Sequence, residues 1–400
     1  MIDLIKQIGH QGLLFFTFSA ADLHWPELHK LMPNDNNSEK SDSAKQRQRN
    51  IIENPHIATW FFDKRFNKFF RDVLVKRWDL EDFWYRYEWQ HRGSIHVHGI
   101  GKRKNAPKIE WMQIKENENE MRNIIQYIDS IVTTNNPGIY ASIPERHPCQ
   151  KCNDEIEDDL QNYIELINKL QRHTRCSSSY CIRVNKKTKQ QTCRFGYPKN
   201  HISHMIIRED KYGQPELETA RNDPYINPHN RLQLQGWRAN VDLKPVLSIH
   251  TALQYISKYA SKAKPQSMVF SEIFNKILNN SNPEDHSLTS IQKLLLNSII
   301  ERDISAQETC HLLLGISLYH SSRSFVSLNL SEEAPRWIRG TGSSETTGDA
   351  GRTTRSPLKK YWDRPEKFEE YSLFKLYLTH NIIKGSWKRC KKENIVRILL

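Results

Sequence analysis

One stretch, DFWYRYEWQHRGSIHVHGI at residues 82–100, limits the fold more than any other part of the sequence. Before a turn-like HRGS its aromatic residues alternate with polar ones, and after the turn the histidines alternate with Ile95 and Val97. A period of two is typical of β-strands. The stretch therefore predicts a β-hairpin with one apolar face and one face rich in metal-ligating side chains.

The polar face of this hairpin is a candidate metal site. Side chains at i and i+2 of a strand point the same way, so His96 and His98 can reach one cation. In the simple register either Glu88 or Gln90 lies across from them. Such a ligand set leaves positions on a divalent ion open for substrate oxygens, and the ion would polarise a scissile phosphate. The ordinary alternative is a half-exposed strand that happens to carry two histidines.

A second motif, QYISKYASK, suits one face of a helix. Tyr255 and Tyr259 are four positions apart and share that face, while Lys258 and Lys262 lie on the neighbouring stripe. A tyrosine hydroxyl can attack a phosphodiester when a metal orients the phosphate and nearby cations favour the phenolate. The alternative is a half-buried helix with a solvated lysine stripe.

The charge balance points to a polyanionic partner. The 400-residue chain has a net charge of +13, with 59 basic against 46 acidic residues. Ten tryptophans and fifteen tyrosines offer surfaces on which unpaired bases can stack. No apolar run reaches the roughly 18 residues of a membrane helix, and the start lacks a secretory signal, so no membrane partner and an intracellular protein are expected.

The cysteines indicate metal binding. Five of the seven lie within residues 149–193, which favours metal ligation over a disulfide framework. Cys149 and Cys152 form a C-x-x-C knuckle. Further candidate ligands, which would complete one zinc site or contribute to two, are His173, Cys176, Cys181 and Cys193. A zinc here would hold a DNA-gripping insert with the basic residues Arg172, Arg175, Arg183, Lys186, Lys187 and Arg194. Buried free cysteines are the alternative.

Other segments have simpler patterns. Residues 13–19 predict a buried strand, and 58–78 predict a helix from the spacing of their apolar residues. Residues 34–49 predict a loop and 247–263 a helix, and 339–357 are typical of a linker.

Taken in order, these motifs resemble the Helitron helicase-like N-terminal domain. This is the nicking-and-joining module of Helitron transposases and a relative of the HUH endonucleases that initiate rolling-circle replication. The resemblance covers roughly residues 10–330. It is carried by FFTFSAADLHWPEL (15–28), NPHIATWFFDKRFNKFF (54–70), YEWQHRGSIHVH (87–98), CRFGYPK (193–199), ALQYISKYASK (252–262) and ISAQETCHLLLGISLYHSSR (304–323).

The resemblance implies an α+β fold of the HUH nuclease type. A central antiparallel sheet flanked by helices would be joined by a Cys/His-rich insert and a helical C-terminal part. The expected domains are a first nuclease half over 10–145, the probable zinc insert over 146–200, a second half over 201–330 with the two-tyrosine helix, and a linker and extension toward an absent helicase over 331–400.

The same resemblance assigns roles. His96 and His98 would hold Mg²⁺ or Mn²⁺, with Gln90 preferred to Glu88 as the third ligand. Tyr255 and Tyr259 would be the nucleophiles, and Lys258 and Lys262 would stabilise charge on the transferring phosphoryl group. The implied function is a metal-dependent single-stranded DNA endonuclease and strand transferase that works through a phosphotyrosine intermediate in rolling-circle-type transposition. Its partners would be single-stranded DNA or transposon ends in the nucleus.

The sequence departs from the family in two respects and leaves two alternatives open. Only about a dozen residues precede the first strand, so any upstream DNA-binding region is expected to be missing. No G-x-x-x-x-G-K-[ST] loop is present, so a helicase would have to be supplied separately. The first alternative is a catalytically inactive, zinc-stabilised nucleic-acid-binding relic, a reading that includes a fragment or decayed copy. The second, an ATP-dependent helicase subunit, would require nucleotide hydrolysis.

Overall fold

The structure is a computed structural model that describes residues 2–33, 43–89, 93–139, 141, 144–174, 176–178, 181–185, 188–248, 250–252, 304–330, 356–383 and 385–399. The chain divides into a larger unit, His10–His320, and a smaller unit formed by Met1–Gly9 and Ser321–Leu400. The finer domain boundaries expected from the sequence stay a prediction.

Among the described residues the elements follow in this order. The α-helices are α1 (Ile2–Ile8), α2 (Pro26–His29), α3 (Ala44–Glu53), α4 (Pro55–Phe69), α5 (Trp111–Ile114), α6 (Glu118–Asp129), α7 (Asp159–Leu166), α8 (Arg231–Trp237), α9 (Ala306–Leu313), α10 (Pro357–Trp362) and α11 (Leu373–Thr379). The strands are β1 (Leu13–Ser19), β2 (Leu80–Trp89), β3 (Ile95–Arg103), β4 (Ile182–Val184), β5 (Gln191–Cys193), β6 (Ile206–Glu209), β7 (Pro215–Glu218), β8 (Val241–Pro245), β9 (Tyr319–Ser321), β10 (Phe325–Asn329), β11 (His380–Ile383), β12 (Ser386–Arg389) and β13 (Ile395–Leu399).

A five-stranded sheet in the order β8-β1-β3-β2-β9 organises the larger unit. β1 pairs antiparallel with both β3 and β8, and β2 pairs antiparallel with β3. The hairpin predicted from the alternating sequence is therefore present, and its histidine-bearing strand β3 is the middle strand of the sheet. The fold is α+β, as expected, with a central antiparallel sheet flanked by helices.

Aromatic side chains pack on one face of the sheet, and this determines which side chains lie on the opposite face. Phe18 of β1 packs edge-on against Phe66 of α4 at 5.5 Å between ring centroids and against Trp237 at 5.4 Å. Tyr85 of β2 meets the same Phe66 ring at 5.0 Å. Because side chains alternate along a strand, this apolar face leaves the neighbouring residues of β1, β2 and β3 on the opposite face.

Gly99 allows two aromatic side chains to cover the middle strand. A Cβ at this position would lie 2.3 Å from the ring of Phe16 and 2.8 Å from the Cβ of Tyr85. Phe16 is 1% exposed and has little room to withdraw. A side chain larger than hydrogen at position 99 therefore conflicts with the aromatic layer.

The helix α4 follows from its sequence. It begins with Pro55 in the first turn, a position where proline costs no hydrogen bond. Its buried residues Ala58, Phe62, Phe66 and Phe69 recur every three or four positions. The helical path continues through a π-helical segment over Phe70–Val75, so the expected helix over 58–78 is largely present.

The loop predicted over 34–49 is wrong for its last residues. α3 begins at Ala44, and the Ser43 side chain caps it by accepting a hydrogen bond from the backbone N–H of Gln46. No residue of α3 is buried. Since the helix has no apolar stripe, hydrophobic periodicity gave no sign of it.

The smaller unit is mixed, whereas a helical C-terminal part was expected. Its described residues include α10 and α11 but also a parallel pair, β10 with β13, and an antiparallel pair, β11 with β12. Leu4, Ile5 and Leu376 are fully buried in its core.

Across the described ranges, no helix has both the length and the apolar character required to cross a membrane. Most of the helix predicted over 247–263, with both tyrosines, lies outside the described residues.

Candidate active site

Two histidines and two hydroxyl side chains lie side by side on the face of the sheet opposite the aromatic core. In the strand register, His98 is paired with Thr17 of β1 and His96 is paired with Ser19. On the other side of β3, Glu88 of β2 is paired with His96. A polar patch therefore crosses three strands, as the alternation of the hairpin predicted for its own two strands.

The hydroxyls of β1 hold both imidazole rings. Thr17 Oγ1 lies 3.0 Å from His98 Nδ1, and Ser19 Oγ lies 3.2 Å from His96 Nδ1. Metal-ligating histidines usually make such a bond through the nitrogen that does not bind the metal, which fixes the ring and its tautomer. With Nδ1–H donating to the hydroxyl oxygen, Nε2 of each ring would be the atom left to bind a metal.

Glu88 lies where a third ligand would be needed. Its Oε2 is 2.9 Å from His98 Nε2, and the two side chains are 16% and 13% exposed. Adjacent ligands on an octahedral ion with bonds of about 2.1 Å are separated by about 3.0 Å. In the structure the two atoms form an ion pair, and their separation is also that of two ligands on one small divalent ion. Gln90, the preferred candidate, lies outside the described residues.

The His96 ring lies farther from His98 than Glu88 does. Its ring centroid is 6.2 Å from that of His98, with the two planes 20° apart. The near-parallel rings point to the same side of the sheet. In the described part of the chain, however, His96, His98 and Glu88 are not among the groups whose ligand atoms all lie within 4.8 Å of one another. Two nitrogens and one carboxylate oxygen suit Mn²⁺ better than Mg²⁺, which prefers oxygen ligands.

A second and tighter cluster lies in the Cys/His-rich segment. The ligand atoms of His173, Cys176, Cys181 and Cys193 all lie within 4.8 Å of one another. The short β4–β5 hairpin brings the last two together, because Cys193 pairs with the residue that follows Cys181. These four residues form a His/Cys cluster that can hold a metal ion such as zinc.

The distances within the His/Cys cluster fit a tetrahedral ion. His173 Nε2 lies 3.7 Å from Cys181 Sγ and 3.6 Å from Cys193 Sγ. Zinc bonds of about 2.3 Å to sulfur and about 2.0 Å to nitrogen place such ligands about 3.6 Å apart. The two sulfurs of Cys176 and Cys181 are closer, at 3.1 Å.

Local electrostatics favour a thiolate at Cys193, whereas the hydrogen bond with Cys181 raises the pKa of Cys176 to about 12. Burial alone would raise the pKa of Cys193, but the backbone N–H groups of Tyr197 and Phe195 hydrogen-bond its sulfur and bring the pKa below its usual value. Burial lowers the pKa of His173, which keeps the imidazole neutral. Deprotonated sulfur and neutral imidazole are the forms that bind zinc.

The C-x-x-C knuckle is not part of this cluster. Cys149 is 1% exposed, and burial raises the pKa of its thiol to about 12. Cys152 is half-buried at the end of the same turn. Among the residues with described positions, neither cysteine belongs to a group of three or more ligands.

Several predicted site residues lie outside the described residues. They are Tyr255, Tyr259, Lys258, Lys262, Arg175, Lys186 and Lys187. Their predicted roles stay predictions.

Thr17 and Ser19 are the functional candidates that sequence reasoning missed. They were assigned to a buried strand, LLFFTFS, without a role. Their two-residue spacing, which matches that of His96 and His98, was the available signal. It becomes informative only when β1 is known to pair with the histidine strand.

The fold is mixed α+β, and its described residues include one His/Cys cluster that can hold a metal ion. The histidine pair of β3 is a candidate ligand set predicted from the sequence. Residues 4–100 match the family described as the Helitron helicase-like domain at N-terminus. The resemblance is thereby confirmed for this segment, which includes β1, β2 and the histidine pair. A search of curated proteins returned no match.

Proposed function

We propose that the protein is a metal-dependent single-stranded DNA endonuclease and strand transferase of the HUH type. One observation carries the proposal: His96 and His98 present their rings on one face of the middle strand, held by Thr17 and Ser19, with Glu88 within 2.9 Å of His98. The Helitron helicase-like match over 4–100 supports a relation to transposases.

The chain would divide the reaction between these residues and the tyrosine motif. His96, His98 and Glu88 would hold Mn²⁺ or Mg²⁺. The ion would supply Lewis-acid polarisation of the scissile phosphate. The hydroxyl of Tyr255 or Tyr259 would form a bond to phosphorus as the bond to the 3′-oxygen breaks. The 3′-oxygen takes a proton, and the 5′ side stays attached to tyrosine.

Two further groups would assist the transfer. Lys258 and Lys262 would stabilise the charge that develops on the phosphoryl oxygens. Thr17 and Ser19 would keep the imidazoles oriented so that Nε2 stays the ligand atom. Rejoining would follow when a second 3′-hydroxyl attacks the phosphotyrosine and releases the tyrosine hydroxyl.

The test is a covalent trap with 3′-end-labelled single-stranded DNA and Mn²⁺, because the fragment that stays on tyrosine carries the 3′ end. Full-length protein should give a labelled band that survives denaturing electrophoresis. The band should be lost in the Tyr255→Phe/Tyr259→Phe double variant, which removes two hydroxyls, and in His96→Ala, which removes one ligand.

Control variants separate chemistry from folding. Tyr212→Phe removes the hydroxyl of an exposed tyrosine elsewhere and should leave the band intact. If the parent protein retards DNA but never becomes linked to it, the nuclease assignment is wrong and the binding-only relic is supported. If His96→Ala forms the adduct at the parent rate, the histidine metal site is wrong.

A further inference from the structure

A cleft of about 880 Å³ lies beside the histidine face, between the loop after the His/Cys cluster, the β6–β7 hairpin and β8. Its lining includes Phe15, Lys199, Arg221, Lys244 and Thr251. Thr251 is four positions before Tyr255 in the sequence. Neither the sequence motifs nor the family match assigns this cleft a role.

The lining of the cleft reaches β1 two residues from Thr17. Phe15 and Lys244 are register partners on β1 and β8, and Asp242 is the partner of Thr17. Residues two apart on a strand share a face and are separated by about 7 Å. Phe15 therefore lies one step along the same face from Thr17, which holds His98. A short stretch of an extended polymer bound in the cleft could therefore reach the candidate metal site.

Positive charge is concentrated at one side of this cleft. The Lys199 ammonium is half-buried, and burial, with Arg221 and Lys244 nearby, lowers its pKa. The nearby carboxylates of Asp242 and Glu216 act to raise the pKa of Lys199. Like charges held together in a partly desolvated cleft favour an anionic ligand.

The other charged groups of the cleft are largely engaged. Arg221 donates hydrogen bonds to the backbone carbonyls of Asp223 and Ile226. Glu218 is paired with Arg208 at 3.3 Å. Asp210 accepts from the backbone N–H groups of Tyr212 and Gln214, and Lys244 lies 4.0 Å from Asp242. Lys199 is thus the cation of the lining best placed to meet a ligand's phosphates. Lys244 can also reach them, because its side chain is 55% exposed and its pair with Asp242 is at the 4.0 Å limit. The Glu216 carboxylate, which also lines the cleft, opposes an anion at that position.

The segment Arg194–Lys199 adds aromatic surfaces to these cations. The Arg194 guanidinium lies over the Phe195 ring at 4.5 Å, and the Lys199 ammonium lies 5.4 Å from the Tyr197 ring centroid. Phe195 is 40% exposed. Alternating cations and rings suit single-stranded nucleic acid, whose phosphates are anionic and whose unpaired bases stack.

The His/Cys cluster holds this segment in place. The Arg194 backbone N–H donates to the Cys181 carbonyl at 2.7 Å, and the Tyr197 ring stacks on His173 at 4.6 Å. Tyr197 also donates a hydrogen bond to Asn227. The segment is therefore positioned by residues that belong to, or contact, the candidate zinc ligands.

We propose that the cleft binds the single-stranded DNA that leads to the histidine face. Lys199 and Lys244 contact its phosphates, and Phe195 stacks on one of its bases. The inference rests on the proposed function for the choice of DNA as the anionic polymer. It goes further by naming the path of the strand and the residues that hold it.

The experiment measures binding without chemistry. Fluorescence anisotropy of a labelled mixed-sequence single strand is recorded with zinc-loaded, full-length protein in the Tyr255→Phe/Tyr259→Phe background and without added Mn²⁺. Phe195→Ala should weaken binding about five-fold or more, since stacking of one base contributes at least that factor. Lys199→Gln and Lys244→Gln should each lower the slope of log affinity against log salt by about 0.7.

The β6–β7 turn supplies matched controls. Lys211 lies over the Tyr212 ring at 4.8 Å, a cation–aromatic pair of the same kind in another segment. Like Phe195, which is next to the lining residue Gly196, this pair is adjacent to a lining residue, Asp210, and is not itself part of the lining. Lys211→Gln and Tyr212→Ala should bind as the parent does. Lys244 is 55% exposed at its side chain, so its variant tests the cleft even if Lys199→Gln fails to fold.

The outcomes distinguish this inference from the nuclease assignment. If the cleft variants lose affinity while the parent forms no covalent adduct, the cleft inference holds and the nuclease is wrong. If the adduct forms but the cleft variants bind as tightly as the Lys211 and Tyr212 controls, the inference is overturned. Tighter binding of duplex DNA, or of RNA of the same sequence, overturns it too.

Discussion

Two hydroxyl side chains, Thr17 and Ser19, illustrate how single residues can position a candidate metal ligand without touching the metal. Each lies within hydrogen-bonding distance of an imidazole Nδ1. Losing such a partner frees the ring to rotate and to change tautomer. Outer partners of this kind typically affect metal affinity by about 10- to 100-fold.

Thr17→Val should therefore weaken Mn²⁺ binding by about 10- to 100-fold, because the variant keeps the shape of the side chain but cannot bond His98. Titration calorimetry on zinc-loaded protein measures the affinity. Thr17→Ser keeps the hydroxyl and should restore binding. Parent affinity in Thr17→Val would show that His98 does not depend on this hydroxyl.

For single residues, the sequence predicted the candidate metal ligands of the hairpin but not the side chains that hydrogen-bond to them. Alternation alone put His96 and His98 on one face with Glu88, and the register agrees. The hydroxyl partners depend on β1, which is about 80 positions earlier in the chain. Local spacing carries no information about which distant strand lies alongside.

At the scale of elements, β3 depends on a position without a side chain. Phe16 from β1 and Tyr85 from β2 both reach over Gly99. At Gly101, two residues later, a Cβ would meet only the end of the Leu80 side chain at 2.8 Å. The two glycines thus differ in how easily their neighbours can move.

Gly99→Ala should lower the free energy of unfolding by about 1–3 kcal/mol, since the buried aromatic rings must shift. Gly101→Ala, in the same strand, should cost less because the end of a leucine side chain can rotate away. Urea denaturation of both variants gives the comparison. Equal midpoints for Gly99→Ala and the parent would refute the packing argument.

We expect the β4–β5 hairpin to depend on a bound metal ion, unlike the central sheet. Its strands are three residues each, and its cluster supplies four ligands. So short a hairpin is marginal without additional support. Binding of zinc would provide folding energy for this segment.

We expect about one zinc per chain, bound by a single four-ligand set. Elemental analysis after dialysis should show that Cys193→Ser loses the zinc and that Cys390→Ser, outside the cluster, retains it. Cys149→Ser should retain it as well. Loss of zinc in Cys149→Ser would instead bring the C-x-x-C knuckle into the site.

Sequence reasoning identified the ligand types here but left the set open. Six candidate residues fell between 149 and 193, and their spacing did not separate one site from two. The choice was made by the hairpin, which brings Cys193 next to Cys181, and by the burial of Cys149 elsewhere. Both depend on backbone pairing that C-x-x-C spacing does not encode.

For the molecule as a whole, buried histidines link stability to pH. Burial lowers the pKa of His229 to about 4, with the backbone carbonyl of Asn227 acting in the opposite direction. Burial also lowers the pKa of His24 to about 4 and of His147 to about 3. The rings of His24 and His147 stack at 3.6 Å, so a charge on one disfavours a charge on the other.

The free energy of unfolding should fall as pH falls from about 6.5 to about 4. In that window the unfolded chain binds protons that the folded chain does not, so stability is complete above 6.5 and lost toward 4. His229→Gln should reduce the slope by about 1.4 kcal/mol per pH unit. Urea denaturation between pH 7 and pH 4.5 tests this; identical slopes would mean that His229 is protonated in the native state.

The strand order also bears on how the protein forms during synthesis. β1, β2 and β3 lie within the first 103 residues, but β8, which covers the other edge of β1, begins at Val241. At about 5–20 residues per second a ribosome needs roughly 7–27 s to make the intervening segment. Throughout that interval the apolar strand LLFFTFS would have one open edge, a template for aggregation. The risk that nascent chains aggregate through this edge would therefore last until β8 emerges.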